Sequence, residues 1–177
     1  MRICLRAVLL SLAAATVSPC FAQSPRDFTN DSSFLKFLDQ VAEARYQFNL
    51  GNVEPSLALW SATDDVTLMG AGGGMEKGIR EVKPRISFVT KQRTAGAGVA
   101  DNRARMEYLQ VVVMGDLAYT VQLERRRLSV PDQKEPVDSV LRATDVFRKD
   151  NGNWKLVHRH ADPLVEVSIP GLPSPPR

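Results

Sequence analysis

At 177 residues, 44% hydrophobic and 24% charged, the chain has material for one core of ordinary size and little for a second. The formal charge of +3 falls once Arg2 and Arg6 are set aside with the N-terminal segment described next, leaving 21 basic against 20 acidic side chains. That balance excludes a broad electrostatic nucleic-acid binder, so no nucleic-acid partner is expected. The chemistry of such a globular domain has to come from a few placed residues.

Residues 1–22 read as an export signal. Arg2 and Arg6 form a basic front, residues 7–17 an apolar run of eleven, and Ser18, Pro19, Cys20, Phe21 and Ala22 a small-residue exit with cleavage expected after Ala22. The run falls short of the ~20 residues a membrane-spanning helix needs, and Pro19 sits where a lipoprotein signal wants a small residue. The expected mature chain is periplasmic or secreted, begins near Gln23 and has no membrane contact after cleavage. Cys4 and Cys20 both lie in the removed segment, so the mature chain has no thiol for a disulfide, a metal site or a nucleophile.

After a linker at 23–30, the domain is expected over 31–163. Phe34, Phe37, Leu38, Val41, Ala44 and Phe48 recur at helical spacing, with Asp31 or Ser32 as N-cap and Gly51 as terminator. A short helix fits 55–60, capped by Asn52, and 66–69 reads as a strand entering the glycine-rich loop 70–74. Ile79, Val82, Ile86 and Val89 mark a third helix, which Pro84 is expected to kink or split. Residues 94–98 are expected to form a flexible loop.

The second half reads as an antiparallel sheet, with strands at 108–114, 117–130, 137–149 and 154–161 and turns at Gly115-Asp116 and Asn151-Gly152. Helices followed by a meander make an α+β domain with the sheet covering the helices. Residues 164–177 are Pro-rich and expected to be an extended tail.

A two-residue turn at Asn151-Gly152 fixes a register. With no irregularity it sets Phe147 opposite Leu156, Asp145 opposite His158 and Ala143 opposite His160 on one face, which Trp154 shares. A carboxylate beside an imidazole is a common general-base arrangement, and equally a structural polar pair at the mouth of a core; the pattern leaves both open. His158 and His160, two apart on a strand, also have metal-ligand spacing, but only carboxylates are left to complete a site, and no metal is expected.

The glycine run 70–74 lacks the Lys-Ser/Thr ending of a phosphate loop and reads as a mobile connection near a pocket mouth. Arg125, Arg126 and Arg127 alternate faces on a strand and read as a solvated face or partner surface.

The order of parts resembles the SnoaL-like branch of the nuclear transport factor 2 (NTF2-like) and ketosteroid isomerase superfamily. The resemblance is carried by residues 49–52 leading into 59–68, by Gly78-Ile79-Arg80, and most specifically by 142–148 with 151–160, which is also similar to the terminal hairpin of the calmodulin-dependent kinase association domain. It implies a cone, a curved antiparallel sheet wrapped around about three N-terminal helices, with an internal pocket and a homodimer formed through the outer sheet face. It also implies that Asp145 falls where ketosteroid isomerases keep an oxyanion-binding acid. Their general base would fall near Gly70, which has no side chain to take a proton, and their oxyanion tyrosine nearer Ala44 than Tyr46.

The expected function is therefore binding of a small, partly apolar molecule in the pocket. Tyr46, Trp60, Phe147 and His160 are the candidate ligand-binding residues, and no cofactor is called for. The alternative is a cofactor-free acid-base enzyme of isomerase, cyclase or dehydratase type using His158 and Asp145.

Overall fold

Helix α1 (Ser32–Asn49) starts where the sequence has its cap: the Asp31 carboxylate accepts the Phe34 N–H at 2.9 Å. Phe34, Leu35, Phe37, Leu38, Val41 and Ala44 form its buried stripe, and Gly51, at φ 91°, lets the chain turn away at its end. This is seen in a computed structural model that describes residues 24–96, 105–128 and 137–165. The expected export signal, most of the tail and part of the expected loop at 94–98 lie outside the described residues.

Helix α2 (Glu54–Leu59) has Val53 rather than the expected Asn52 at its cap, with no side-chain cap bond. The Asn52 amide reaches back to Gln47 Oε1 instead, and Ser56 Oγ donates to Ala44 O at 3.0 Å, tying α2 to α1. Trp60 leaves the helix in extended conformation, bridges to Leu156 and is buried in the core.

Strand β1 (Thr67–Met69) pairs with β2 (Glu76–Lys77), a two-residue strand too short for alternation to reveal in the sequence. Gly78 follows at φ 83°, donating its N–H to Val66 O at 2.8 Å, a conformation that a Cβ would strain. Helix α3 (Ile79–Gly96) runs on through Pro84, correcting the expected split. The proline is exposed and in the second turn, so one backbone hydrogen bond is forgone while the apolar face of Val82 and Ile86 stays buried. Residues 94–96, expected in a loop, are the end of α3.

Strands β3 (Arg105–Met114), β4 (Leu117–Leu128), β5 (Val137–Asp150) and β6 (Asn153–Pro163) complete one open six-stranded sheet in the order β2-β1-β6-β5-β4-β3. All pairs are antiparallel except β1 with β6. That parallel contact is a long-range pairing no local pattern announces. The helices cover the inner face, where Phe34 packs edge-on to Phe147 at 5.4 Å and Trp154 at 4.9 Å, and Phe37 meets Phe147 at 5.6 Å. Burying each such ring stabilises by roughly 1.5–3 kcal/mol.

The hairpin turn at Asn151 and Gly152 forms as expected, both residues with positive φ, and Phe147 pairs with Leu156. The next step departs from the regular register. A bulge at Val157 shifts the pairing by one, so Val146 lies opposite His158, Asp145 opposite Arg159, Thr144 opposite His160 and Ala143 opposite Ala161. The expected cross-strand pairing of Asp145 with His158 is therefore corrected: one extra residue sends both histidines to the outer face and brings Arg159 inside. The physical reason lies in Asp145, whose carboxylate is fully buried and receives two contacts from Arg159 Nη1 at 2.9 and 3.1 Å. A buried carboxylate facing a neutral ring would lack that compensation.

Candidate functional site

Beyond Phe147 the inner face of the sheet changes character. Along β4 and β5 it presents Gln122, Glu124 and Asp145, all buried, and β6 adds Arg159. Arg159 Nη2 donates to Glu124 Oε2 at 2.9 Å, and Gln122 Nε2 donates to Asp145 Oδ2 at 3.1 Å and Glu124 Oε1 at 3.3 Å. From α1, Arg45 sets its Nε 3.8 Å from Glu124 and its Nη2 3.6 Å from Asp145, too long for hydrogen bonds but close enough for charge pairing. Two guanidinium groups thus meet two carboxylates in the interior.

The charges of this cluster hold one another. Burial alone would push the Glu124 carboxyl up, but the charges of Arg159 and Arg45 and hydrogen bonds from Arg159 and Gln122 outweigh it and hold the group at about 2. For Arg159 burial opposes the charge, and Asp145 and Glu124 more than offset it, raising its pKa. Buried Tyr108 is pushed up, first by desolvation and then by the two carboxylates. Glu124 is therefore held ionised near neutral pH and is not available there as a proton donor.

Above the cluster opens a cavity of about 320 Å³. Its apolar wall is Phe48, Leu59, Trp60, Leu68, Ile86 and Leu156, with Gly70, Ala71 and Gly72 also lining it, and its charged lining is Arg45, Arg85, Glu124, Arg126 and Arg159. An apolar chamber with a few converging polar groups, at the lower end of the ~300–1,000 Å³ of small-molecule sites, is the usual form of a ligand pocket.

Of the candidate catalytic and ligand-binding residues named from the sequence, only Trp60 lines this cavity, while Gly70 and Gly72 of the glycine run expected near a pocket mouth line it as well. Asp145 is buried among the arginines, and Phe147 is packed against Phe34 and Phe37. Tyr46 is half-buried on α1 outside the lining, and His160 is exposed on the outer face. His158, also on the outer face, has its Nδ1 2.7 Å from Thr67 Oγ1. Its pKa is lowered, chiefly by desolvation, with the Asp145 charge opposing.

The residues the sequence reading missed are Arg45, Gln122, Glu124, Arg126 and Arg159. A signal for Arg126 was present: in the run 125–127 the strand alternates, and Arg125 pairs outward with Glu107 and Arg127 with Asp138, which leaves the middle residue to face in. For Arg159 there was none, because its face depends on the bulge.

An open sheet wrapped on three N-terminal helices around a lined pocket defines the class as a cone-shaped α+β domain. The chain belongs to the SnoaL-like domain family, whose model matches residues 35–166. No curated protein matches it. Among solved structures it is similar to an NTF2-like superfamily protein from Salmonella enterica serovar Typhimurium, at 12% identity and TM-score 0.63, covering 81% of this chain and 99% of that one. It is also similar to a ketosteroid isomerase-like protein from Erwinia carotovora atroseptica, at 18% identity and TM-score 0.56, covering 77% of this chain and 99% of that one. A third is an NTF2-like protein with a cystatin-like fold from Novosphingobium aromaticivorans, at 20% identity and TM-score 0.55, covering 74% and 84%. At these identities the likeness is one of fold.

Proposed function

We propose that the protein binds a small, partly apolar molecule in this cavity. The observation that carries the reading is the hollow itself: an apolar chamber whose floor is a self-compensated ionic cluster rather than interdigitated side chains. Binding, rather than proton transfer, fits the floor. The carboxylates that a reaction would use are saturated by Arg159 and Gln122, and His158 stands on the other face of the sheet. The acid-base alternative loses the pair on which it was built.

A thermal-shift screen of small metabolites with apolar bodies tests the reading, run on the wild type and on Val89→Trp, which plugs the cavity from α3. Binders that stabilise the wild type and leave Val89→Trp unmoved support it. A screen without binders, or binders indifferent to the plug, contradicts it.

Export and pairing of two copies belong to the same proposal. The basic front, apolar run and Ala22 support export, and N-terminal sequencing of secreted material should begin near Gln23. An intact Met1 on cytoplasmic protein would contradict it. The outer face of β5 and β6 carries Thr144 and Val146, and a homodimer through it should show a dimer mass by light scattering at micromolar concentration, where a monomer mass would oppose it.

A further inference from the structure

The charge count around the cavity does not close. Asp145 and Glu124 balance Arg45 and Arg159. Arg85 Nε lies 3.3 Å from Glu76 Oε1, and its Nη2 donates to Gly73 O at 2.7 Å, which occupies it at the loop. Arg126 remains. It lines the cavity half-buried, and its one hydrogen bond among the described residues is a long contact from Nε to Ser139 Oγ at 3.4 Å. Among the described residues no carboxylate lies within 4.0 Å of it. A half-buried guanidinium here carries a desolvation cost that the charge of Glu124, beyond ion-pair distance, offsets only in part, and burial accordingly lowers its pKa, with the charge of Arg159 adding to the effect.

The charges of the cluster below are paired with one another, which leaves Arg126 as the unpaired cation of the lining. Arg159 is committed to two carboxylates by hydrogen bonds, and the charge of Arg45 is paired with the same two at 3.6–3.8 Å, although its buried Nε and Nη2 have no hydrogen-bond partner among the described residues. Arg126 and Ser139 are cross-strand partners on β4 and β5, so a guanidinium fork and a hydroxyl are presented together at the cavity wall. That is the donor set for one planar oxyanion, and a bidentate match to carboxylate is the strongest form it takes. Phe48, Leu59, Leu68, Ile86 and Leu156 offer the ligand body apolar contact beside the Trp60 ring, with Asn49 and Ser56 the other uncharged polar residues of the lining.

We infer that the pocket selects a monoanion: an apolar body ending in a single carboxylate, held by Arg126 with Ser139. This rests on the pocket being a ligand site and goes beyond it in fixing the charge and the anchoring residues. A dianion would exceed the one uncompensated charge, and a cation would add to it.

The test uses 4-phenylbutanoate and its neutral isostere 4-phenylbutanamide, titrated by calorimetry into the full chain and into Arg126→Gln, with folding of the variant checked by circular dichroism. The wild type should bind the acid about tenfold or more tighter than the amide, the range of a charge-assisted pair against a neutral contact. Arg126→Gln should bind the two alike, with most of the loss falling on the acid, and Arg126→Lys should restore part of the preference. Equal binding of acid and amide by the wild type would overturn the inference while leaving the pocket reading intact. A preference that survives in Arg126→Gln would overturn the assignment to Arg126. Absence of binding by either compound would count against pocket and anion site together.

Discussion

The inner face of the sheet has two ends with opposite chemistry, and on β5 they are two residues apart. At Phe147 the face is aromatic, with Phe34, Phe37 and Trp154 packed ring against ring. At Asp145 it is ionic, with Arg159, Glu124, Gln122 and Arg45 in contact and a cavity above them. The first end derives its stability from surface removed from water. The second contributes little net stability, since charge pairing there offsets desolvation, but it holds a chamber open. Separating packing from hollow in this way lets one fold keep a firm core beside a site.

The sharpest way to break the contrast is to remove single members at each end. Arg159→Leu leaves Asp145 and Glu124 buried with Arg45 alone, and should cost about 3–5 kcal/mol in urea unfolding. Phe147→Ala should cost about as much, 3–5 kcal/mol, through the cavity it leaves. The ends differ in rescue: Asp145→Leu added to Arg159→Leu should recover part of the loss, because the second change removes the stranded charge. Failure of that rescue would mean the ionic end packs as rigidly as the aromatic one.

Acid should then unfold the ionic end first. Glu124 has a folded pKa near 2, below the 4.5 of an ordinary glutamate, so its contribution is fully present above about pH 4.5 and is lost as pH falls toward 2. In Glu124→Gln the acid limb of a stability profile should be flatter over that window, though the variant is less stable at neutral pH. An unchanged acid limb would contradict the charge pairing.

Much of this frame was legible in the sequence, for physical reasons that also mark where legibility stopped. Helix α1 follows from the spacing of Phe34, Leu38 and Val41 and the Asp31 cap, both local, and the turn at Asn151-Gly152 follows from residues that tolerate positive φ. The site did not follow, because the bulge at Val157 is decided by what Asp145 needs once buried, a tertiary balance that alternation cannot encode. The same one-residue shift moved His158 and His160 out of the candidate site and Arg159 into it. Pro84 overrode expectation in the other direction, since one missing hydrogen bond was outweighed by the burial of Val82 and Ile86.

The smallest effect belongs to the outer face. Desolvation lowers the pKa of His158, so the folded state favours the neutral ring, and its contribution is complete above about pH 6.5 and declines as pH falls through the folded value. In an NMR titration His158 should titrate below 6.5. A value above 6.5 would mean a carboxylate faces it after all, as the regular register would have had it.

The two tryptophans stand one at each end, Trp60 in the cavity wall and Trp154 in the aromatic packing with its indole N–H donated to Ser33 Oγ at 3.1 Å. Their indole N–H resonances therefore report on the comparison in a single spectrum. On titration with 4-phenylbutanoate the Trp60 signal should shift progressively and saturate while the Trp154 signal stays in place. A Trp60 signal that does not move at millimolar ligand, or a Trp154 signal that moves with it, would contradict a ligand pocket confined to the ionic end.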